Sequence, residues 1–432
     1  MNVSDVMDED LALAALLRRD GPMNLPRAIE VMQQFDLRGM VLGDPLNVFH
    51  ALGYFPQIAL TKAGQPPTTF ALLTRDPDAV PAIVTTRFIY YYTWADAKFE
   101  RDHPTWLYHE AGDAGDAAQA PEIDANPDRG AAPLSGVEAR RRQALNTVPD
   151  ARRSLRDAGG ALVRAMRELG LWSGRIAFDH PVIAAVCERH AHPGVLLPAD
   201  NMLRAIRIVK SPLEIRLMRR AARANVEAVG AVGRWLRAGA SLRDLRRQFE
   251  LECAARANRP IFLTVDRVSS ELADERIVDG QCLFIDGVSH FQHYHGDYAR
   301  TVFVGEPNAA ARRAAQAASF GWNAVREQLK PGLRYSDLVR IGQEAVRKGG
   351  FDTHVGFGPH SVGLMHTDEP GEDAQGFYRK ADLTLRENMV LSVDCPVMDT
   401  GLGGSAHIED LMLITADGAE AIHEIGSSVM VI

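Results

Sequence analysis

The chain has no apolar run near the roughly 18 residues that a membrane-spanning helix requires, so no membrane partner is expected. It has no cationic excess either. Its 48 Lys and Arg against 56 Asp and Glu leave a net charge of −8 and a pI near 6.0. Proteins that grip a phosphate backbone concentrate Lys and Arg to displace counterions, so nucleic acid is not an expected partner. Cysteine is scarce: Cys187, Cys253, Cys282 and Cys395 are scattered without CxxC spacing. Neither a zinc knuckle nor a disulfide framework is supported, and buried free thiols are expected. The opening MNVSDVMDEDLALAALLRRD is too acidic for a secretory leader, which points to a cytoplasmic protein.

What remains is an ordinary globular chain of 432 residues, 46% hydrophobic and 24% charged, long enough for two or three domains. Strand candidates at 39–42 and 69–73 alternate with helical stretches such as 157–169, the pattern of an α/β domain over residues 1–200. Residues 110–136, rich in Ala, Gly, Asp and Pro, read as a surface loop. Tyr90, Tyr91 and Tyr92 with Trp94 read as core or subunit interface.

Near Asn201 the texture changes. In IVKSPLEIRLMRRAARANVEAV, Ser211 can cap a helix, Pro212 suits its first position and Glu214 completes a capping box, so a second domain is read over residues 201–432. This domain repeats itself. LRAGASLRDL and LKPGLRYSDL share Leu, a base, Gly, Asp and Leu at the same spacing; each follows a helical stretch carrying a Trp, Trp235 or Trp322. Further on, the run ending at Asp286 (LFID) is echoed by the run ending at Asp394 (LSVD). A single duplication, not a solenoid, accounts for this order.

In LFIDGVSHFQHYHGDYARTVFVG, Asp286 and Asp297 stand at the inner ends of two strand-like runs. If two like halves pack about a pseudo-twofold axis, Asp286 and Asp394 are equivalent, and the strand after each brings in Asp297 or Glu409. Four converging carboxylates raise one another's pKa values and are stable only with protons or cations among them. Two divalent ions meet that need. GFGPHSVGLMHTDEPG adds His360 and His366; either can ligate through a neutral imidazole, leaving the other to move protons.

These segments together resemble the pita-bread metallohydrolases, the family of prolidase, aminopeptidase P, methionine aminopeptidase and creatinase. The resemblance is carried by Asp286 in FIDG, Asp297 in HGDYART at an eleven-residue separation, His360 in GPHSVG, Asp394 in ENMVLSVDCP and Glu409 in AHIEDLMLIT; GDPLNVFHALGYF extends it loosely into the first domain. It implies an α/β (α+β) chain: a creatinase-like N-terminal α/β domain, then a pita-bread domain with internal pseudo-twofold duplication. It also implies two divalent ions (manganese, zinc, cobalt or iron) on Asp286, Asp297, His360, Asp394 and Glu409. A bridging hydroxide would attack an amide carbonyl, with Glu409 accepting the proton, His360 beside it and His366 stabilising the oxyanion or helping the amine leave. The implied substrate is a short Xaa-Pro peptide. The alternative is a small-molecule C–N hydrolase or lyase resembling creatinase, ectoine hydrolase or dimethylsulfoniopropionate lyase, able to work without metal. A homodimer is implied as well.

The chain departs from the family at four places. Asp394 stands where the family has Glu and is one methylene shorter, so the second ion is expected to be displaced, weakly held or absent. TVDRVSSELADERIVDG offers no histidine upstream of Asp286. His366 follows His360 by six residues where the peptidases have seven, and Thr-Asp-Glu-Pro replaces Glu-x-Pro after it. The HSVG segment looks more like creatinase than prolidase.

Overall fold

The runs at 39–42 and 69–73 lack the alternation of a half-exposed strand, because both faces of their sheet are covered. The computed structural model describes residues 3–56, 66–94, 102–109, 132–153, 155–372, 378–398 and 404–432. They fall into two units, Met1–Ile206 and Arg207–Ile432. In the first, β1 (Gly39–Leu42), β2 (Thr69–Thr74), β3 (Ala82–Thr86), β4 (Thr105–Tyr108), β5 (Arg175–Phe178) and β6 (Val195–Pro198) form one mixed sheet ordered β4-β3-β2-β1-β5-β6. Successive residues enter two different cores. Met40, Leu42, Ala71 and Leu73 pack on one side, Val41, Phe70, Leu72 and Trp106 on the other, as the two-residue period of a strand requires. Asp44 caps the helix Pro45–Leu52, and Asp179, just past β5, accepts from the Gly43 and Asp44 amides at 2.7 and 3.1 Å.

Residues 110–131 of the expected surface loop lie outside the described residues; its last residue, Gly136, instead opens a helix, Gly136–Thr147, because Ser135 and Glu138 make a capping box. Tyr90 and Tyr91 are buried and Tyr92 is half exposed, while the Trp94 side chain lies outside the described set. All four cysteines are buried free thiols. Among the described residues no helix is long and apolar enough to cross a membrane.

The second unit is built twice from the same plan. Two helices, Pro212–Trp235 and Leu242–Ala255, precede β7 (Arg259–Val265), β8 (Cys282–Phe291) and β9 (Tyr294–Phe303). Two more, Ala309–Arg326 and Tyr335–Lys348, precede β10 (Gly358–Ser361), a short ribbon of β11 (Gly371–Glu372) with β12 (Arg379–Lys380), then β13 (Val390–Asp394), β14 (Met412–Ile414) and β15 (Ala419–Ala421). The first sheet runs β7-β8-β9 with β16 (Val429–Val431) on its far edge; the second runs β10-β13-β14 with β15 on its edge. The helix Pro212–Trp235 starts as its sequence indicates, with Ser211 accepting from the Glu214 amide and Glu214 returning the bond.

One local expectation is corrected. Asp286 and Asp297 do not end two short strands; they lie inside a ten-by-ten residue hairpin that turns at Gln292 and His293. Both turn residues have positive φ, 47° and 66°, the conformation of the two-residue turns that match strand twist. No Gly or Asn marks the turn at Gln292 and His293, so the sequence carries no local signal for it.

Candidate metal centre

Residues directly opposite on an antiparallel pair share a face. The register sets Asp286 opposite Ala299 and Val288 opposite Asp297, so both acids point to the same side of the hairpin. The opposite side is pressed onto the helix Pro212–Trp235. There a Cβ on Gly296 would lie 2.8 Å from Ala222 Cα, which fixes Gly in the position just before Asp297. Asn225 secures the hairpin by donating to the Gly287 carbonyl at 2.6 Å and accepting from Ser289 Oγ at 2.6 Å.

Glu409 is positioned by a buried cation. Arg300, on β9, donates to the Glu409 and Ala299 carbonyls at 2.8 Å and to Asp410 Oδ1 at 2.6 Å. Trp322, one of the paired repeat tryptophans, donates to Asp410 Oδ2 at 2.8 Å. His360 comes from β10, and its neighbour Ser361 receives Lys210 Nζ at 3.0 Å and gives its amide to Glu369 at 2.9 Å. The acids of the Thr-Asp-Glu-Pro segment are structural: Asp368 pairs with Arg207 at 2.8 Å, and Glu369 accepts from Tyr335 at 2.9 Å. Together they pin the loop that carries His366.

All six singled-out residues meet in one cluster. His360 Nε2 lies 3.7 Å from Asp297 Oδ2, 3.6 Å from Asp394 Oδ2 and 3.4 Å from Glu409 Oε1. His366 Nε2 is 3.0 Å from Asp297 Oδ2, with 35% of its side chain exposed. Asp297, His360 and Glu409 are buried, Asp286 partly so, and the Asp394 side chain is 39% exposed.

A seventh residue, His407, was not singled out in the sequence. Its Nε2 is 3.3 Å from Asp394 Oδ1 and 3.5 Å from Glu409 Oε2, and it groups with Asp286 and Glu409 within ion-holding distance. The available signal was its place two residues before Glu409 in an extended segment, which puts both on one face.

The electrostatics call for positive charge. Burial, then the charges of Glu409 and Asp297, push Asp286 well above the carboxylate range; burial and then Glu409 do the same to Asp297. Glu409, which burial alone would raise, is held well below it by His360 and His407. Burial alone would lower His360, yet Glu409, Asp394 and Asp297 push it up to about 9; Asp394 and Glu409 likewise raise His407 against its burial. Asp286 Oδ1 and Asp297 Oδ1 are buried without a hydrogen-bond partner. Orphaned carboxylate oxygens facing imidazole nitrogens are the donor set of a first-row divalent cation, so these residues fit the expected ions.

Residues 216–416 match the model of metallopeptidase family M24. The chain is 27% identical over 232 residues to the Xaa-Pro dipeptidase of Pyrococcus horikoshii, covering 52% of this chain and 64% of that one. It is 28% identical over 232 residues to the Xaa-Pro dipeptidase of Pyrococcus furiosus, covering 52% and 65%. The match therefore spans less than two thirds of either relative. Solved structures extend the likeness to the fold of nearly the whole chain. The prolidase of Pyrococcus horikoshii superposes with a TM-score of 0.63 at 18% identity, covering 93% of this chain and 99% of that one; a dipeptidase of the same organism gives 0.66 at 14%, covering 95% and 100%. Within the second unit, residues 216–416 are thus similar to metallopeptidase family M24, and the chain shares the pita-bread fold of these solved prolidase structures.

Proposed function

We propose that the chain is a metal-dependent hydrolase of short Xaa-Pro peptides. The observation that carries this reading is the convergence of Asp286, Asp297, His360, Asp394 and Glu409, with buried carboxylate oxygens that find no protein donor. Asp286, Asp297 and Glu409 would hold one cation, and Asp297, His360, Asp394 and Glu409 a second. Such ions, when bound, make water acidic enough to attack near neutral pH and polarise the scissile carbonyl. Glu409 accepts the proton released by the attacking water. His366, partly exposed and in contact with Asp297, presents Nε2 to the developing oxyanion or to the leaving amine. The Xaa-Pro dipeptidase names of the relatives support the substrate class. A homodimer and a cytoplasmic setting, expected from the resemblance and the sequence, belong to the same reading.

Asp394 favours a second reading, a small-molecule C–N hydrolase or lyase using the same cavity, because a shorter acid enlarges the space beside His360. The test is metal analysis of protein purified without added metal, followed by turnover of Xaa-Pro dipeptides and of small C–N substrates, with chelator and with Mn²⁺. Dipeptide cleavage that chelation abolishes and Mn²⁺ restores is the expected result. Turnover of only the small substrates, indifferent to chelator, would replace the peptidase reading with the second.

A further inference from the structure

The cluster contains an imidazole that the family resemblance does not supply. Asp394 and Glu409 each turn one oxygen toward either ring: Asp394 Oδ2 and Glu409 Oε1 lie 3.6 and 3.4 Å from His360 Nε2, and Asp394 Oδ1 and Glu409 Oε2 lie 3.3 and 3.5 Å from His407 Nε2. Donor atoms held by one first-row ion at bonds of about 2.0–2.2 Å sit about 2.9–3.6 Å apart. A charge-assisted N–H···O bond closes further, to about 2.7–2.9 Å. All four separations fall in the spacing of shared ligands.

Strand register gives an independent argument. Leu391 pairs with Met412 and Val397 with Ala406, and these two pairs keep one register; carried through the stretch between them, it would set Asp394 opposite Glu409 and Pro396 opposite His407. In the first half Asp286 is opposite Ala299, and Val288, two residues on, is opposite Asp297. With Asp286 matched to Asp394, the counterpart of Asp297 is His407 and that of Glu409 is Ala299. The Ala299 and Glu409 backbones bond to each other reciprocally, at 3.4 and 3.2 Å, as a pair lying on the pseudo-twofold axis should. His407 thus occupies the duplicated position of a residue that faces the ions.

We propose that His407 Nε2 is a metal ligand, joining Asp286 and Glu409 on the first ion, so that each ion receives one imidazole and Asp394 spans both. This rests on the two-ion reading above. It also accounts for the shortened acid: a Glu at 394 would push its carboxylate about 1.5 Å further toward two nitrogens already 3.3 and 3.6 Å away. The shorter side chain leaves room for a second ring. Two nitrogen donors shift the pair toward ions that favour imidazole, such as Co²⁺, over Mn²⁺.

The test uses the full chain loaded with Co²⁺ alone. X-ray absorption is recorded on the His366→Ala protein, which removes the partly exposed ring from the count without touching the buried set. One imidazole per cobalt is expected; one per two cobalts would leave His360 as the sole ring ligand and overturn the proposal. In parallel, calorimetric titration of His407→Gln should show one of the two Co²⁺ sites weakened by more than about 100-fold, beyond the usual cost of losing an outer-sphere partner, with a smaller loss for Mn²⁺. Two unchanged sites would overturn the proposal. If His407→Gln does not fold, the absorption measurement decides alone. Failure of the wild-type chain to take up any Co²⁺ would bring down the two-ion reading itself, a result distinct from two ions bound with one ring between them.

Discussion

Asp297→Asn should make the chelated protein more stable and the metal-loaded protein less so. Asp297 is 1% exposed, its Oδ1 has no hydrogen-bond partner, and Glu409 is the charge that most raises its pKa after burial. Two carboxylates about 4 Å apart at an effective dielectric near 20 repel by about 4 kcal/mol. The amide removes that repulsion but also surrenders the attraction of His366 at 3.0 Å and His360 at 3.7 Å. A net gain of about 1–2 kcal/mol remains, or roughly 2–8 °C in the melting temperature of a unit this size. With Mn²⁺ at about a thousand times its dissociation constant, the wild type gains about 4 kcal/mol, whereas the variant, lacking an acid shared by both sites, gains far less. Calorimetric melts of both proteins in chelator and in Mn²⁺ should therefore show the order of stability reversing. A variant that melts below wild type in chelator, or gains as much from Mn²⁺, would refute the argument that this carboxylate is held in the apo protein only for the ions.

Arg300→Met removes a fully buried cation that satisfies Asp410 and the carbonyls of Ala299, Glu409 and Ser427, so about 3–5 kcal/mol of stability should be lost in the chelated protein. Urea unfolding followed by circular dichroism measures it, and a loss under about 1 kcal/mol would show that the pair does not anchor the Glu409 segment. His290 and His293 are both pushed down to about 4, chiefly by burial. The unfolded chain takes up their protons as pH falls through about 6.5 while the folded chain does not until about 4, so stability is intact above 6.5 and lost across that window. After discounting for partial exposure, each contributes up to about 2 kcal/mol of acid sensitivity. His290→Gln should flatten the decline between pH 6.5 and 4, and an unchanged pH profile would rule this histidine out as its source.

The linear sequence determined a good deal by itself. Ser211, Pro212 and Glu214 started their helix because capping is decided within one turn, and the short apolar runs of the first unit, alternating with helical stretches, marked an α/β domain because such patterns are local. Asp286 and Asp394 were legible because each closes a strand-like run that recurs in the second domain, and His360 because it stands in a Gly-rich segment between the two acid pairs. His407 was not, although it stands two residues from Glu409. Whether a side chain in an extended segment faces a cluster or a core depends on the register of strands far apart in sequence, here Leu391 with Met412 and Val397 with Ala406. The same limit hid the partners of Asp368 and Glu369, since Arg207 and Tyr335 reach them only across the folded unit. Tertiary structure also joined the two strand runs around Asp286 and Asp297 into one hairpin, where hydrogen bonding along ten paired residues overrode a stretch with no turn signal of its own.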